Sequence, residues 1–146
     1  MLVINTKVNV MARYWLVKSE PFKYSWDDLI RDKEEVWDGV RNHRAKNNLK
    51  AMEVGDQSFF YHSREGLEIV GICEVSVADL KDPTDPTGTW DTVKFKPVRK
   101  LANPVTLKQI KAEPKLAECE LVRLSRLSVA EITPEEWKII NAMSEG

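Results

Sequence analysis

The order of strand-like runs and helix starts constrains the architecture of this chain more than any other sequence feature. Runs rich in branched and aromatic residues, the pattern of β-strands, occupy residues 13–18, 57–62, 67–77, 90–100 and 126–131. Helix starts lie at Ser25, Asn42, Thr106 and Thr133. The resulting order, β-α-α-β-β-β-α-β-α, has too few strand-helix-strand units for a doubly wound sheet. It predicts an α+β fold, a small, mostly antiparallel sheet or barrel with helices packed around it.

Turn signals connect these elements in a way that supports antiparallel pairing. Residues Ser63–Gly66 join two strand-like runs over a length typical of a hairpin. The segment DPTDPTGT, residues 82–89, contains two prolines and a glycine and is predicted to form an ordered loop before a further strand. Residues 42–52 carry Ala45, Leu49 and Met52 on one helical face and basic residues on the other.

Length and composition favour one domain with no global attraction to nucleic acid or membrane. The chain has 146 residues and a formal net charge of −1, so any binding to a charged polymer must be local. Its two cysteines are too few for a disulfide framework and lack zinc-site spacing, which indicates a reducing compartment and two small core residues. Nowhere do about 18 apolar residues occur in a row, the length that a membrane-spanning helix needs. We therefore expect a cytoplasmic, monomeric protein without metal or cofactor.

The first residues fit the patterned chain poorly. We expect residues 1–11 to be an N-terminal extension and residues 12–146 to form the domain. Met11 stands immediately before the first strand-like run, so it is a candidate for the native start. Intact-mass analysis of the natural protein tests this expectation.

The sequence offers little for catalysis. The chain has two histidines, His43 and His62. His43 lies on the basic face of a predicted helix, and His62 and Ser63 point to opposite faces if they share a strand. Cys73 lies too far along the hairpin to pair with His62. Clustered metal ligands and glycine-rich phosphate loops are absent from the sequence, which disfavours metal-dependent and nucleotide-driven enzymes.

Charge and tryptophan are distributed unevenly. Residues 65–91 hold seven acids and one lysine, whereas residues 92–112 hold six basic residues and no acid. The basic residues Arg41, Arg44, Lys46 and Arg126 could follow a phosphate backbone if they share a face. Five tryptophans are present, and Trp15 and Trp137 are accounted for by core packing. Trp26, Trp37 and Trp90 each adjoin a turn or loop, where a flat aromatic face next to basic residues suits one unstacked base.

Several long motifs resemble one family throughout the chain. They are YWLVKSEP (14–21), YSWDDL (24–29), VWDGVRNHRAKNNL (36–49), VGDQSFFYHS (54–63), IVGICEV (69–75), DPTDPTGTW (82–90) and SRLSV (125–129). Together they resemble the EVE domain family. The resemblance implies a PUA-like fold, a small β-barrel with flanking helices. It also implies a module that reads modified bases, particularly modified cytosines in DNA, without performing chemistry on them.

A partial resemblance to the YTH domain, a reader of N6-methyladenine in RNA, supplies candidate contacts. It lies in Lys18-Ser19, in Trp37 with Asn42, and in residues 59–75. It implies that Trp37 is one wall of an aromatic cage, that Ser19 and Asn42 read the base edge, and that Trp90 is a possible second wall. The expected base pocket is Lys18, Ser19, Trp26, Trp37, Asn42, Ser63 and Trp90, of which Trp26 and Ser63 are included because they lie in EVE motifs. Arg41, Arg44, Lys46 and Arg126 are the expected phosphate contacts.

The function expected from these observations is non-enzymatic recognition of a modified base in DNA or RNA. Two alternatives from other classes stay open. One is an enzyme that acts on modified nucleotides through the same pocket. The other is an adaptor whose aromatic pocket takes methylated lysine or arginine, since aromatic cages also bind cations.

Overall fold

A six-stranded sheet forms the centre of the protein in a computed structural model that describes residues 13–146. Its strands are β1 (Tyr14–Ser19), β2 (Glu35–Val36), β3 (Gln57–His62), β4 (Glu68–Lys81), β5 (Asp91–Thr106) and β6 (Val129–Ile132). Their spatial order is β2-β5-β4-β3-β1-β6. All neighbours pair antiparallel except β1 and β3, which run parallel.

Within residues 13–146, five α-helices and one 3₁₀ turn surround the sheet. They are α1 (Trp26–Asp32), α2 (His43–Ala51), α3 (Leu107–Ala112), the 3₁₀ turn Pro114–Leu116, α4 (Glu120–Arg123) and α5 (Pro134–Glu145). Ser25, Thr106 and Thr133 each form a complete capping box, in which cap side chain and third-position side chain bond reciprocally to the backbone. The three helix starts expected from these signals are therefore confirmed.

The predicted fold class is confirmed, with two differences in detail. The sheet is mostly antiparallel, but among residues 13–146 its edge strands β2 and β6 do not pair with each other, so it is not a closed barrel. Several register shifts along β4 and β5 bend this long ribbon. The sequence pattern missed β2, the 3₁₀ turn and α4, because segments of two to four residues show no periodicity. The predicted extension, residues 1–11, lies outside the described residues.

Aromatic and branched side chains from both faces of β3 hold the core together. Phe59 stacks on Trp137 of α5, with ring centroids 4.1 Å apart. Phe60 lies on the other face, edge-on to Trp26 and Trp37. Trp15 is fully buried and donates its indole N–H to Asp56, so the polar atom of this ring is satisfied. The sheet is therefore packed on both faces. The parallel strands β1 and β3 end next to each other at one edge of the sheet.

Candidate functional site

A cleft of about 1040 Å³ opens where β1 and β3 end. Because these strands are parallel, their carboxyl ends lie side by side, with Ser19 opposite His62. The chain after each strand continues along the cleft, and the backbone N–H of Ser63 donates to the carbonyl of Ser19 at 2.9 Å. Residues 35–42 form one wall, and the cleft is also lined by Leu107, Lys111, Leu121, Ser125, Arg126 and Ser128. The volume is sufficient for a nucleotide-sized ligand.

Trp37 forms an aromatic part of the first wall. Its side chain is 8% exposed, and its ring lies edge-on to Phe60 and Phe95 at centroid distances of 5.7 and 5.4 Å. Its backbone is held as well, because its N–H donates to the carbonyl of Val93. Trp37 therefore has little freedom to move and presents a fixed edge of the core to the cleft.

The segment after Trp37 is fixed by Asp82, at the start of the proline-rich loop. The buried carboxylate of Asp82 accepts from the Gly39 backbone N–H at 2.8 Å and from the Arg41 guanidinium at 3.0 Å. It also accepts from the backbone N–H and hydroxyl of Thr84. These hydrogen bonds lower the pKa of Asp82 although burial alone would raise it. The loop therefore orders the cleft wall through one carboxylate.

Asn42 and Ser19 both line the cleft, and each already makes one local hydrogen bond. The Oδ1 atom of Asn42 caps α2 by accepting from the Ala45 N–H at 2.9 Å. Its Nδ2 group has no partner among residues 13–146 and can donate to a ligand. The Ser19 hydroxyl donates to the carbonyl of Tyr24, which leaves its oxygen as an acceptor.

Lys18 and Tyr61 lie next to each other in the paired strands β1 and β3. The Lys18 ammonium donates to the Ser125 carbonyl at 2.7 Å and lies 5.9 Å from the centre of the Tyr61 ring. Burial lowers the pKa of Lys18 and raises that of Tyr61 to about 12. The Tyr61 hydroxyl has no hydrogen-bond partner in the described part of the chain, although the residue is almost fully buried and lines the cleft. The Tyr61 hydroxyl is thus a third group, after those of Asn42 and Ser19, that is free to bind a ligand.

The cleft is lined by more cations than carboxylates. Its basic residues are Lys18, Lys23, Arg41, Arg64, Lys111 and Arg126, and its acidic residues are Glu20, Glu35 and Asp38. Glu20 pairs with Lys23 and Arg64, and Asp82 pairs with Arg41. Within residues 13–146, Lys18, Lys111 and Arg126 have no carboxylate partner. These three cations are available to an anionic ligand.

The expected base-pocket residues therefore separate into three places. Lys18, Ser19, Trp37, Asn42 and Ser63 line the cleft, together with the expected phosphate contacts Arg41 and Arg126. Trp26 is 3% exposed and lies in the core instead, edge-on to Phe60. A Cβ atom at Gly71 would come within 2.6 Å of the Trp26 ring, so the absence of a side chain at Gly71 makes room for it. Trp90, Arg44 and Lys46 lie outside the cleft lining.

Trp90 forms a separate group with three basic side chains, here called the Trp90 patch: Arg41, His43, Lys46 and Trp90. The His43 ring lies 5.0 Å from Trp90 at an interplanar angle of 30°. The Arg41 guanidinium carbon and the Lys46 ammonium lie 5.4 and 5.2 Å from the ring centre. Because Arg41 also lines the cleft, the patch adjoins it. Arg44 faces elsewhere and pairs with Glu120 at 3.0 Å.

Tyr61 and Lys111 are among the lining residues that were not singled out from the sequence. Tyr61 lies in the motif VGDQSFFYHS, but a tyrosine in a buried strand has no feature that distinguishes a core position from a cleft position. Lys111 lies in the basic stretch 92–112, and only the fold brings α3 to the cleft.

The described residues offer no evident catalytic pair. Burial raises the pKa of the Cys73 thiol and raises that of Cys119 to about 11, which makes both poor nucleophiles at neutral pH. The Nε2 atom of His62 accepts from the backbone N–H of Trp26 at 3.1 Å, so its lone pair is occupied. No group of three or more potential metal ligands occurs in residues 13–146. In the same range, no helix is long and apolar enough to cross a membrane.

Comparison with known proteins identifies relatives over almost the whole chain. Mouse thymocyte nuclear protein 1 is 31% identical, with 92% of this chain and 75% of the relative covered. The NMR structure of a Rhodopseudomonas palustris protein matches with a TM-score of 0.88 and 48% identity, covering 92% and 94% of the two chains. The crystal structure of human THYN1 in complex with 5-methylcytosine-containing DNA matches with a TM-score of 0.86 and 27% identity, covering 92% and 99%.

A more distant structural likeness and a family match complete the comparison. The YTH domain of Zygosaccharomyces rouxii MRB1 shares the fold with a TM-score of 0.58 at 18% identity, covering 92% of this chain and 87% of the YTH chain. The family model of the EVE domain matches residues 13–143. The resemblance expected from the motifs is thereby confirmed, and the chain belongs to the EVE domain family.

Proposed function

We propose that this protein binds DNA at a modified cytosine and takes that base into the cleft without altering it. The observation that carries the proposal is that candidate base contacts and phosphate contacts line one cleft of nucleotide size. A structurally similar protein, human THYN1, was crystallised with DNA that contains 5-methylcytosine. That complex supports DNA and a modified cytosine over other nucleic-acid ligands.

The polar groups that are free in the cleft suit the edge of cytosine. Cytosine presents an amino group that donates and ring atoms that accept. The Ser19 oxygen can accept from the amino group, and the Asn42 amide can donate to the ring acceptors. The Tyr61 hydroxyl can do either. Thymine replaces the amino group by an acceptor, which would leave the Ser19 oxygen unpaired at a cost of about 1 to 3 kcal/mol.

The base must leave its stack before these groups can reach it. Extrusion costs a few kcal/mol, and the cost is smallest in single strands and weakened pairs. Contact between the extruded base and the Trp37 ring offsets about 1 to 3 kcal/mol of this extrusion cost. Lys18, Lys111 and Arg126 would hold the flanking phosphates, and the Trp90 patch would contact the neighbouring nucleotide and backbone. Trp26 and Arg44 are omitted from this site because their contacts lie elsewhere.

Equilibrium binding to matched oligonucleotides tests the proposal. The panel holds one sequence as single- and double-stranded DNA and RNA, with cytosine, 5-methylcytosine, adenine or N6-methyladenine at one position. We expect the tightest binding to a modified cytosine in DNA, and binding that weakens with salt. Uniform affinity across the panel would contradict the proposal.

A variant that loses a single oxygen atom gives the sharpest test of the cleft. Tyr61→Phe removes the free hydroxyl and should weaken binding to DNA with either cytosine or 5-methylcytosine at the test position by about 5- to 30-fold, the effect of one ligand hydrogen bond. Tyr14→Phe is the matched control, because Tyr14 stacks on Trp137 outside the cleft. Tyr14→Phe should bind as the wild-type protein does.

Two further assays, for product formation and for peptide binding, separate the two rival functions. Formation of a new nucleoside from modified DNA, lost in Ser19→Ala, would favour an enzyme. Binding to methylated peptides without binding to oligonucleotides would favour an adaptor. We further propose that residues 12–146 form the functional unit and act as a monomer, which light scattering of free and DNA-bound protein tests.

Our proposal for the cellular location of the protein is less specific than that for its ligand. A cytoplasmic location is our prediction from the sequence, whereas the name of the mouse relative indicates the nucleus for that protein. A reader of modified DNA must reach DNA, so imaging of a fluorescent fusion against a DNA stain decides between the two.

A further inference from the structure

Phe22 exposes 60% of its surface at the edge of the cleft. The other strongly exposed large apolar side chains of residues 13–146 are aliphatic: Ile30, Val54, Leu67 and Val98. Single exposed apolar residues are common on protein surfaces, so exposure alone assigns no role. The position and the support of Phe22 distinguish it from the others.

Phe22 stands at the tip of a braced turn between β1 and α1. The backbone N–H groups of Lys23 and Tyr24 both donate to the Glu20 carbonyl at 2.9 Å. The Glu20 carboxylate in turn pairs with Lys23 at 3.3 Å and with Arg64 at 3.1 Å. These contacts tie the turn to the β3–β4 hairpin, so the turn that presents the ring is already ordered before any ligand binds.

The turn forms part of the cleft rim. Glu20, Lys23 and Tyr24, which surround Phe22 in sequence, line the cleft, whereas Phe22 does not. Lys23 and Arg64 bring positive charge to the same rim, where DNA phosphates would pass if a base entered the cleft. An exposed apolar ring therefore belongs to a turn whose neighbouring residues line the cleft.

A base that leaves duplex DNA opens a gap in the stack, and proteins that distort DNA often insert an apolar side chain between bases. We propose that Phe22 is such a wedge: it enters the stack beside the extruded base and fills part of the space that the base leaves. This inference rests on the proposed function and deepens it, because it assigns recognition of duplex DNA to a residue outside the base-binding cleft. A single strand has no paired stack to repair, so the wedge acts on duplexes alone.

The test compares duplex and single-stranded DNA that carry the same 5-methylcytosine. Phe22→Ala should weaken duplex binding by about 5- to 100-fold, the range for loss of an aromatic group that stacks on a base. It should change single-strand binding by less than about twofold. Phe22→Trp should retain duplex binding. Val54→Ala is the matched control, since Val54 is 64% exposed and precedes the opposite end of β3, and it should change neither affinity.

Duplex DNA with a mismatch opposite the methylated cytosine distinguishes a wedge from a purely structural role of Phe22. Extrusion from a mismatch costs less, so the defect of Phe22→Ala should shrink on the mismatched duplex. If Phe22→Ala loses affinity equally for duplex and single-stranded DNA, or for neither, the wedge is overturned. The proposed function still stands in that case, provided that the wild-type protein prefers 5-methylcytosine. Absence of that preference in the wild-type protein would overturn both.

Discussion

Trp37 serves the core and the candidate site with the same side chain. Its ring packs edge-on against Phe60 and Phe95, and a small remaining part faces the cleft. A sequence pattern cannot separate these roles, because an aromatic residue beside a turn is typical of both. A test of Trp37 must therefore measure stability and binding separately, because removal of its ring affects both.

We expect Trp37→Ala to lower the free energy of unfolding by about 3 to 5 kcal/mol, the usual cost of truncating a buried aromatic residue. Trp37→Phe should retain most of this stability yet lose most of the discrimination between modified and unmodified cytosine. Urea unfolding and oligonucleotide titration measure the two effects. If Trp37→Phe discriminates as the wild-type protein does, Trp37 is not a wall of the base site.

We expect His62 to make folding sensitive to mild acid. Burial lowers its pKa below the ordinary value of 6.5, and its Nε2 atom must stay unprotonated to accept from Trp26. The unfolded chain therefore takes up a proton at higher pH than the folded chain. The stabilisation from neutral His62 is present above about pH 6.5 and is lost as the pH falls through the lowered folded pKa.

We expect His62→Gln, whose side-chain oxygen can replace Nε2 as acceptor, to lose less stability than the wild-type protein between pH 7.5 and 5.5. Thermal unfolding at several pH values measures this difference. His43→Gln, at an exposed position on α2, is the matched substitution that leaves the hydrogen bond between Trp26 and His62 intact. An identical profile for His62→Gln would show that His62 does not contribute to the acid sensitivity.

At the scale of elements, α2 joins a folding signal to the candidate site. Its N-cap, Asn42, uses one side-chain atom to start the helix and leaves the other facing the cleft. Asp is as good an N-cap as Asn, whereas it has no amide donor and adds a negative charge. A single substitution can therefore separate the stability of α2 from ligand binding.

We expect Asn42→Asp to leave the free energy of unfolding within about 0.5 kcal/mol of wild type and to weaken DNA binding more than tenfold. Asn42→Ser keeps a capping oxygen without the charge and should weaken binding less. Thr133→Ala should have the opposite combination of effects, a loss of stability without a loss of binding. It removes the cap of α5 at a cost of about 1 kcal/mol and should leave binding unchanged, because α5 does not line the cleft. DNA binding at wild-type strength by Asn42→Asp would remove Asn42 from the site.

The elements that could be predicted are those with a local signal. An N-cap serine with acids in the first turn marked α1, capping boxes marked α3 and α5, and strand-like runs marked the longer strands, because backbone bonding and side-chain periodicity act over a few residues. Strand β2 and helix α4 could not be predicted in this way. Residues 35–36 form a strand because β5 lies beside them, which is a long-range contact without a local pattern.

At the scale of the whole molecule, a net charge of −1 conceals a cleft that favours anions. The sequence showed basic residues in separate clusters, and their convergence depended on topology. Arg126 and Lys111 meet at the cleft although 15 positions separate them in the numbering, whereas Arg44, close to Asn42 in sequence, pairs with Glu120 outside it. The family motifs predicted the fold, and seven of the eleven residues expected from them line the cleft, but only the fold distinguishes paired from unpaired cations.

This distinction leads to a prediction about salt. Each cation that contacts a phosphate releases counterions, so binding weakens with salt in proportion to the number of contacts. Lys111→Ala and Arg126→Ala should each reduce the slope of log affinity against log salt by about 1, with little change in base preference. Arg44→Ala should reduce it less, because Glu120 already neutralises Arg44.

Lys138→Ala is the control, since Lys138 is an exposed cation on α5 and lies outside the cleft lining. It should leave the slope unchanged, which separates loss of a specific phosphate contact from loss of one positive charge. Titrations at four or more salt concentrations measure all four slopes. If Lys138→Ala lowers the slope as much as Lys111→Ala and Arg126→Ala do, the attraction comes from the overall charge of the protein, and the cleft does not hold the backbone. If only the two cleft variants lower it, the DNA passes between α3 and Arg126, which fixes the direction from which a base reaches Trp37.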